Sequence, residues 1–152
     1  MSNLVYRVGT VEDLERVYPL NNELFAEAWS KASLLEVMQA GFNLFICEND
    51  NELAGYLLSQ DVLDEVNIMQ VAVLPAYQRR GIAKQLSQML LDDKAHQTMI
   101  FLEVRLSNIA AQALYVKLGF EKIGQRKNYY VPKDKHEGRE DAVVMQLMID
   151  QV

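Results

Sequence analysis

The chain has 152 residues, half of them hydrophobic, and its 21 acidic residues against 15 lysines and arginines leave a formal charge of −6. That length supports one globular domain over 1–152 whose core needs no staples, and a single cysteine excludes both an intramolecular disulfide framework and a zinc site built from cysteines alone. The acidic balance argues against a generic nucleic-acid binder, since such proteins draw their affinity from cationic contacts to phosphate.

In chain order, residues 4–8 (LVYRV) read as a short strand, and Thr10 followed by Asp13 signals a helix start. Val11, Leu14, Val17, Tyr18 and Leu24 fit one helical face, with Pro19 expected to break or kink it. Ser30 caps a second short helix, KASLLEVMQ, closed by Gly41. Residues 43–48 and 53–61 read as strands around the turn Asn49-Asp50-Asn51-Glu52, a hairpin. The run 65–74 alternates and then becomes apolar, as a more central strand would. From Gly81 a helix places Ile82, Leu86, Met89 and Leu90 on one face. Residues 99–105 form another strand, Asn108 caps a helix that ends at Gly119, and strands at 120–130 and 142–149 flank a polar loop with Pro132 and Gly138. This order indicates an α/β fold, a mixed sheet flanked by helices.

The opening MSNLVYRVGT lacks a basic stretch followed by an apolar one, so no secretion signal is expected. No apolar run approaches the roughly 20 residues that span a bilayer, and a soluble cytoplasmic protein with no membrane partner is expected. The charge is uneven: residues 1–60 hold nine acids and three bases, whereas 61–120 and 121–152 each hold six of both. The acidic third is either a solvated helix face or a surface that receives a cationic partner, with Glu23, Glu27 and Glu36 as its carriers.

Gln78-Arg79-Arg80-Gly81-Ile82-Ala83 joins a strand to a helix start, where unpaired N–H groups and the dipole suit a pyrophosphate. Small residues at Gly81 and Ala83 permit close backbone approach, and the two arginines offer charge-assisted bonds or simply face solvent. On spacing alone an ordinary strand–turn–helix connection fits equally well. Glu103, mid-strand among apolar residues, is a solvent-facing acid, a partner of Arg105, or a general base. Tyr115 is a packed aromatic or a proton donor. Cys47 reads as a buried thiol, and His96 and His136 are too few and too separated for a metal site. Tyr129 and Tyr130 beside Arg126 and Lys127 suggest either base stacking or, better, a strand with polar edges. Glu137, Glu140 and Asp141 around Gly138 read as solvated loop acids.

VAVLPAYQRRGIAKQL at 71–86 resembles the acetyl-CoA motif of the GNAT N-acetyltransferases, Q/R-x-x-G-x-G/A, with Gln78, Gly81 and Ala83 in its three signature positions. LEVRLSNIAAQALYVKLGF at 102–120 and REDAVVMQL at 139–147 resemble the rest of that core. With Ala28-Trp29-Ser30 and Asn128-Tyr129-Tyr130, the pattern is similar to the RimI-type branch. The resemblance implies a GNAT fold with a central, mostly antiparallel mixed sheet. It further implies acetyl transfer from acetyl-CoA to the N-terminal alanine of the eighteenth small-subunit ribosomal protein, a basic peptide. It implies that Val71, Ala72 and Val73 hold the pantetheine arm and that Arg79, Arg80, Gly81, Ile82, Ala83 and Lys84 wrap the pyrophosphate. Asn108 would touch the cofactor, Glu103 would be the base, Tyr115 the acid, and Tyr130 would border the peptide. A GNAT acting on a small amine or on lysine, and a non-catalytic acyl-CoA-binding regulatory module, are the alternatives.

Overall fold

The computed structural model describes residues 3–24, 30–39, 41–94, 98–132 and 138–149. Seven strands form one sheet in the order β1-β2-β3-β4-β5-β7-β6. They are β1 (Leu4–Val8), β2 (Phe42–Asn49), β3 (Glu52–Val62), β4 (Glu65–Val73), β5 (Met99–Arg105), β6 (Glu121–Tyr130) and β7 (Glu140–Met148). Among the described residues, only β4 and β5 pair in parallel; the other neighbours are antiparallel. The helices are α1 (Leu14–Leu24), α2 (Lys31–Gln39), α3 (Ile82–Asp93) and α4 (Ile109–Lys117).

The local chemistry explains the elements. Asp50 and Asn51 both adopt positive φ (50° and 71°), as the tight turn of a twisted two-strand hairpin requires. Ser30 Oγ accepts the Ser33 N–H at 3.1 Å and opens α2. The start signal at Thr10 first yields a 3₁₀ turn, Val11–Asp13, in which the Asp13 carboxylate accepts the Thr10 N–H at 2.8 Å. Pro19 does not end the first helix. It lies inside α1, where the loss of one backbone hydrogen bond is outweighed by burial of Leu14, Val17 and Leu20 along one face.

Two apolar clusters hold the sheet from its two sides. Ile82, Leu86 and Leu90 of α3 and Tyr115 of α4 pack on one face against Val66, Ile68, Ile100, Leu102 and Met145. Leu14, Val17 and Leu20 of α1 and Leu34 of α2 pack on the other against Leu44, Tyr56, Leu58 and Ala72. The second cluster encloses a polar chain: the Tyr56 hydroxyl donates to Gln70 Oε1 at 2.7 Å, and Gln70 Nε2 donates to Asn21 Oδ1 at 3.0 Å. Gly55 makes β3 and β4 compatible with α3, since a Cβ there would stand 2.7 Å from the Ala72 carbonyl.

The last strand begins at Glu140 rather than at 142. Glu140 pairs with Tyr130, and its carboxylate accepts the Ser107 N–H at 2.6 Å and meets Arg105 at 3.2 Å. Glu140 and Asp141 are therefore engaged: Asp141 accepts from Gln125 Nε2 at 2.7 Å and from the Asn128 N–H at 2.9 Å. Those hydrogen bonds, the backbone one foremost, hold the Asp141 carboxyl below its ordinary pKa. Glu137 lies outside the described residues.

Candidate active site

The sheet opens where the parallel pairing of β4 with β5 ends. Pairing of β4 with β5 stops at Ile68↔Leu102, while β4 runs on to Val73 and β5 to Arg105. The cause is one surplus residue. Opposite β3, Leu58 pairs with Gln70 and Ser59 with Ile68, so Met69 is a bulge on β4. The bulge also switches side-chain parity. Val66 and Ile68 before it face the α3/α4 cluster, whereas Val71 and Val73 take over that face after it, and Ala72 turns to the α1/α2 cluster. Beyond Ile68 the β5-facing edge of β4 has no strand partner among the described residues. Gln78 Nε2 donates to the Val73 carbonyl at 3.1 Å and ends the open segment.

The loop after β4 is shaped for an anion. Arg79 and Gly81 both take positive φ (65° and 77°) on either side of Arg80, an alternation that turns successive N–H groups toward one side. Gly81 is the N-cap of α3, no side chain caps that end, and a Cβ at Gly81 would meet nothing within 4 Å. The first-turn N–H groups of Ile82, Ala83 and Lys84 have no intrahelical acceptor, and they add the positive end of the helix dipole. Arg79 and Arg80 are both exposed, and the Arg80 guanidinium lies 5.4 Å over the Tyr77 ring. The backbone N–H groups by themselves form a cradle here, with both guanidinium groups exposed beside it.

Glu103 is the first β5 residue past the last β4 pair. It points to the face opposite the buried Ile100, Leu102 and Val104, where Phe101 and Val144 are also half-buried and Gly124 leaves open space. Its Oε2 is buried and accepts no hydrogen bond, and its Oε1 lies 3.6 Å from Arg126 Nη1. Arg105, the partner weighed from the sequence, pairs instead with Glu140 and donates to the Val131 carbonyl at 3.0 Å. Tyr115 approaches from the other face. It is 4% exposed, packs edge-on against Phe120 at 5.2 Å, and faces Ser87 of α3. Burial pushes its phenol up to about 12, partly offset by Ser87. Glu103 and Tyr115 thus belong to opposite faces of the sheet.

Val71, Ala72 and Val73 form the open half of β4, and Arg79 through Lys84 form the loop and first turn of α3. Asn108 is the exposed N-cap of α4, its Oδ1 accepting the Ala111 N–H at 3.1 Å. Although seven residues apart on one helix, Asn108 is at the surface and Tyr115 in the core. The Tyr130 ring lies under the Arg105 guanidinium at 4.7 Å and meets Tyr129 edge-on at 5.0 Å. Sequence reasoning missed the bulge at Met69, the strap from Gln78 to Val73, and the approach of Arg126 and Tyr129 to Glu103. Burial first, then the Glu103 charge, raises the Tyr129 pKa. Cys47 is a buried thiol whose pKa burial raises. Glu23 and Glu36 are exposed on α1 and α2. Glu27, Ala28, Trp29, His96 and His136 lie outside the described residues, among which no group of His, Cys, Asp or Glu side chains is placed to hold a metal ion. No helix among them is long and apolar enough to cross a membrane.

Comparison with known proteins meets the same architecture. The model of the acetyltransferase (GNAT) family matches residues 13–120. The [ribosomal protein bS18]-alanine N-acetyltransferase of Haemophilus influenzae is 42% identical over 137 residues, covering 88% of this chain and 90% of that protein. The crystal structure of the ribosomal-protein-S18-alanine N-acetyltransferase from Escherichia coli superposes with a TM-score of 0.87 at 33% identity, covering 98% of this chain and 96% of the other. Arabidopsis thaliana NAA60 in complex with acetyl-CoA shares the fold at a TM-score of 0.83 and 19% identity, covering 97% and 99% of the two chains. With a bulged and opened β4, a backbone cradle at Gly81 and relatives of this similarity, the chain belongs to the acetyltransferase (GNAT) family.

Proposed function

We propose that this chain, acting as one domain over 1–152, transfers acetyl from acetyl-CoA to the N-terminal α-amine of a protein, the N-terminal alanine of ribosomal protein bS18. The observation that carries this reading is the placement of Glu103 at the mouth of the β4/β5 gap with one buried carboxylate oxygen that accepts no hydrogen bond. A substrate amine is the hydrogen-bond donor such an oxygen lacks. The relatives named for this activity support the same substrate.

Acetyl-CoA supplies an acyl group activated as a thioester. The N–H groups around Arg79, Arg80, Gly81, Ile82, Ala83 and Lys84 suit its pyrophosphate. The unpaired edge at Val71, Ala72 and Val73 suits an amide-bearing arm that adds as a short strand, and Asn108 borders the same opening. An amine must be neutral to attack, and Glu103 takes its proton directly or through water. Tyr115, from the opposite face, donates a hydrogen bond to the departing sulfur. Tyr130 borders the peptide, and the acidic surface bearing Glu23 and Glu36 attracts its basic tail. The reaction belongs in the cytoplasm and calls for neither nucleic acid nor membrane. Peptides beginning with alanine, with free or blocked N-termini, are incubated with enzyme and acetyl-CoA and mapped by mass spectrometry. Acetyl on the free α-amine is expected; acetyl on lysine alone, or none, overturns the reading.

A further inference from the structure

The charges around Glu103 bear on which amines the opening admits. Arg126 of β6 approaches Oε1 at 3.6 Å, beyond the 2.7–2.9 Å or so of a direct charge-assisted bond. Its guanidinium is steadied 5.1 Å over the Tyr129 ring, and Tyr129 is the other ionisable group of β6 at Glu103. Two residues along β5, Arg105 shares the face, but its charge is met by Glu140 of β7 at 3.2 Å. The residues of β4 beyond its last pair with β5, from Met69 to Val73, carry no charge. Among the described residues, the opening therefore holds one carboxylate and, besides Arg105 paired with Glu140, one guanidinium that is close to it yet not locked onto it.

Resting on the proposed α-amine acetylation, we propose that Arg126 is a specificity-determining residue: it renders the acceptor opening electroneutral, so that amines are selected by how readily they give up a proton. A lone carboxylate draws in any ammonium. A carboxylate already balanced by Arg126 gains less from a second cation, which Arg126 also repels, whereas a neutral amine escapes that repulsion. An α-amine has an ordinary pKa of about 8 and a lysine of about 10.4. At a pH below both, the neutral form is therefore on the order of 250-fold more abundant for the α-amine. Arg126 converts that abundance into selectivity. Its side chain is 58% exposed on the edge strand, so solvent screens the effect and substitution spares the core.

The test compares wild type, Arg126→Gln and Arg126→Lys on two peptides of one sequence. The first has a free N-terminal alanine and no lysine; the second has a blocked N-terminus and one lysine. Arg126→Gln is expected to lower the α-over-lysine ratio of kcat/KM by about tenfold, a fraction of the full proton-affinity difference because the pair is exposed. It is also expected to flatten the fall of the alanine-peptide KM between about pH 6.5 and 8.5, through the α-amine pKa. Arg126→Lys retains both properties. A wild-type ratio and an unchanged KM profile in a folded Arg126→Gln enzyme overturn the inference, as does an equal loss of kcat on both peptides, the mark of a merely structural role. Absence of α-acetylated product from the wild type refutes the proposed function instead.

Discussion

Replacing Tyr115 by Phe removes one hydroxyl and little else, because the ring is enclosed and packed on Phe120. With its phenol pushed up to about 12 by burial, Tyr115 is protonated throughout the working range. A thiol such as that of coenzyme A ionises near 8.5. Burial therefore disfavours complete transfer of the phenol proton, while a hydrogen bond to the developing negative sulfur carries no such penalty. On the proposed mechanism, Tyr115 is therefore expected to act as a preorganised hydrogen-bond donor. Loss of one such donor lowers kcat by about 10²- to 10³-fold, or about 3–4 kcal/mol. The assay is release of free thiol from acetyl-CoA with an alanine-initiated peptide, from about pH 6.5 to 9.5. Tyr115→Phe should lose kcat by about 100-fold with both KM values within about twofold of wild type. Neither enzyme should show a falling limb in that range. A falling limb near pH 9 in the wild type that disappears in Tyr115→Phe refutes the argument, because the tyrosine would then be ionising there.

Three further outcomes follow from the geometry. Tyr56→Phe leaves Gln70 Oε1 buried without its donor, at a cost of about 1–3 kcal/mol, read as a lower denaturant midpoint with an unchanged slope. Asp13 is held below the usual carboxylate range, chiefly by Arg7 at 2.7 Å and also by Arg16 at 2.8 Å. A lowered folded-state pKa means that its stabilisation is complete above about pH 4, the unfolded value, and is lost as pH falls below that toward the folded value. Asp13→Asn should lower stability at pH 7 by about 2 kcal/mol and flatten the acid limb in denaturant titrations. Gly81→Ala keeps the open cradle but strains a φ of 77° by about 1–2 kcal/mol. It should raise the KM for acetyl-CoA by about tenfold and leave the peptide KM unchanged in two-substrate kinetics.

What could be read in advance divides by sequence separation. Gly81 and the Asp50-Asn51 turn act through their own backbone and Ser30 through a hydroxyl bonded three residues on, so residue type and spacing announced them. The bulge at Met69 left a trace, since apolar residues fall on even positions at Val66 and Ile68 and on odd ones at Val71 and Val73. An apolar Met at the switch masked it, and the run read simply as a more central strand. Arg126 gave no signal at all. A charged residue on an exposed strand is ordinary, and its nearness to Glu103 comes from the register of β5, β7 and β6, set by pairings between separate strands rather than by local spacing. Glu140 and Asp141 were read as loop acids for the same reason: their partners Arg105, Ser107, Gln125 and Asn128 are distant in the chain.

The surplus residue in β4 also bears on how this protein can drift. If the co-substrate is gripped by main-chain groups of residues 71–73, the grip does not depend on which side chains stand there. Val71 and Val73 answer to the α3 and α4 packing behind them, and Ala72 to the α1 and α2 packing in front. Substitutions at these positions are then filtered as core substitutions are, by volume and polarity. The binding edge itself is proof against almost every single-residue change except proline, which withdraws an N–H.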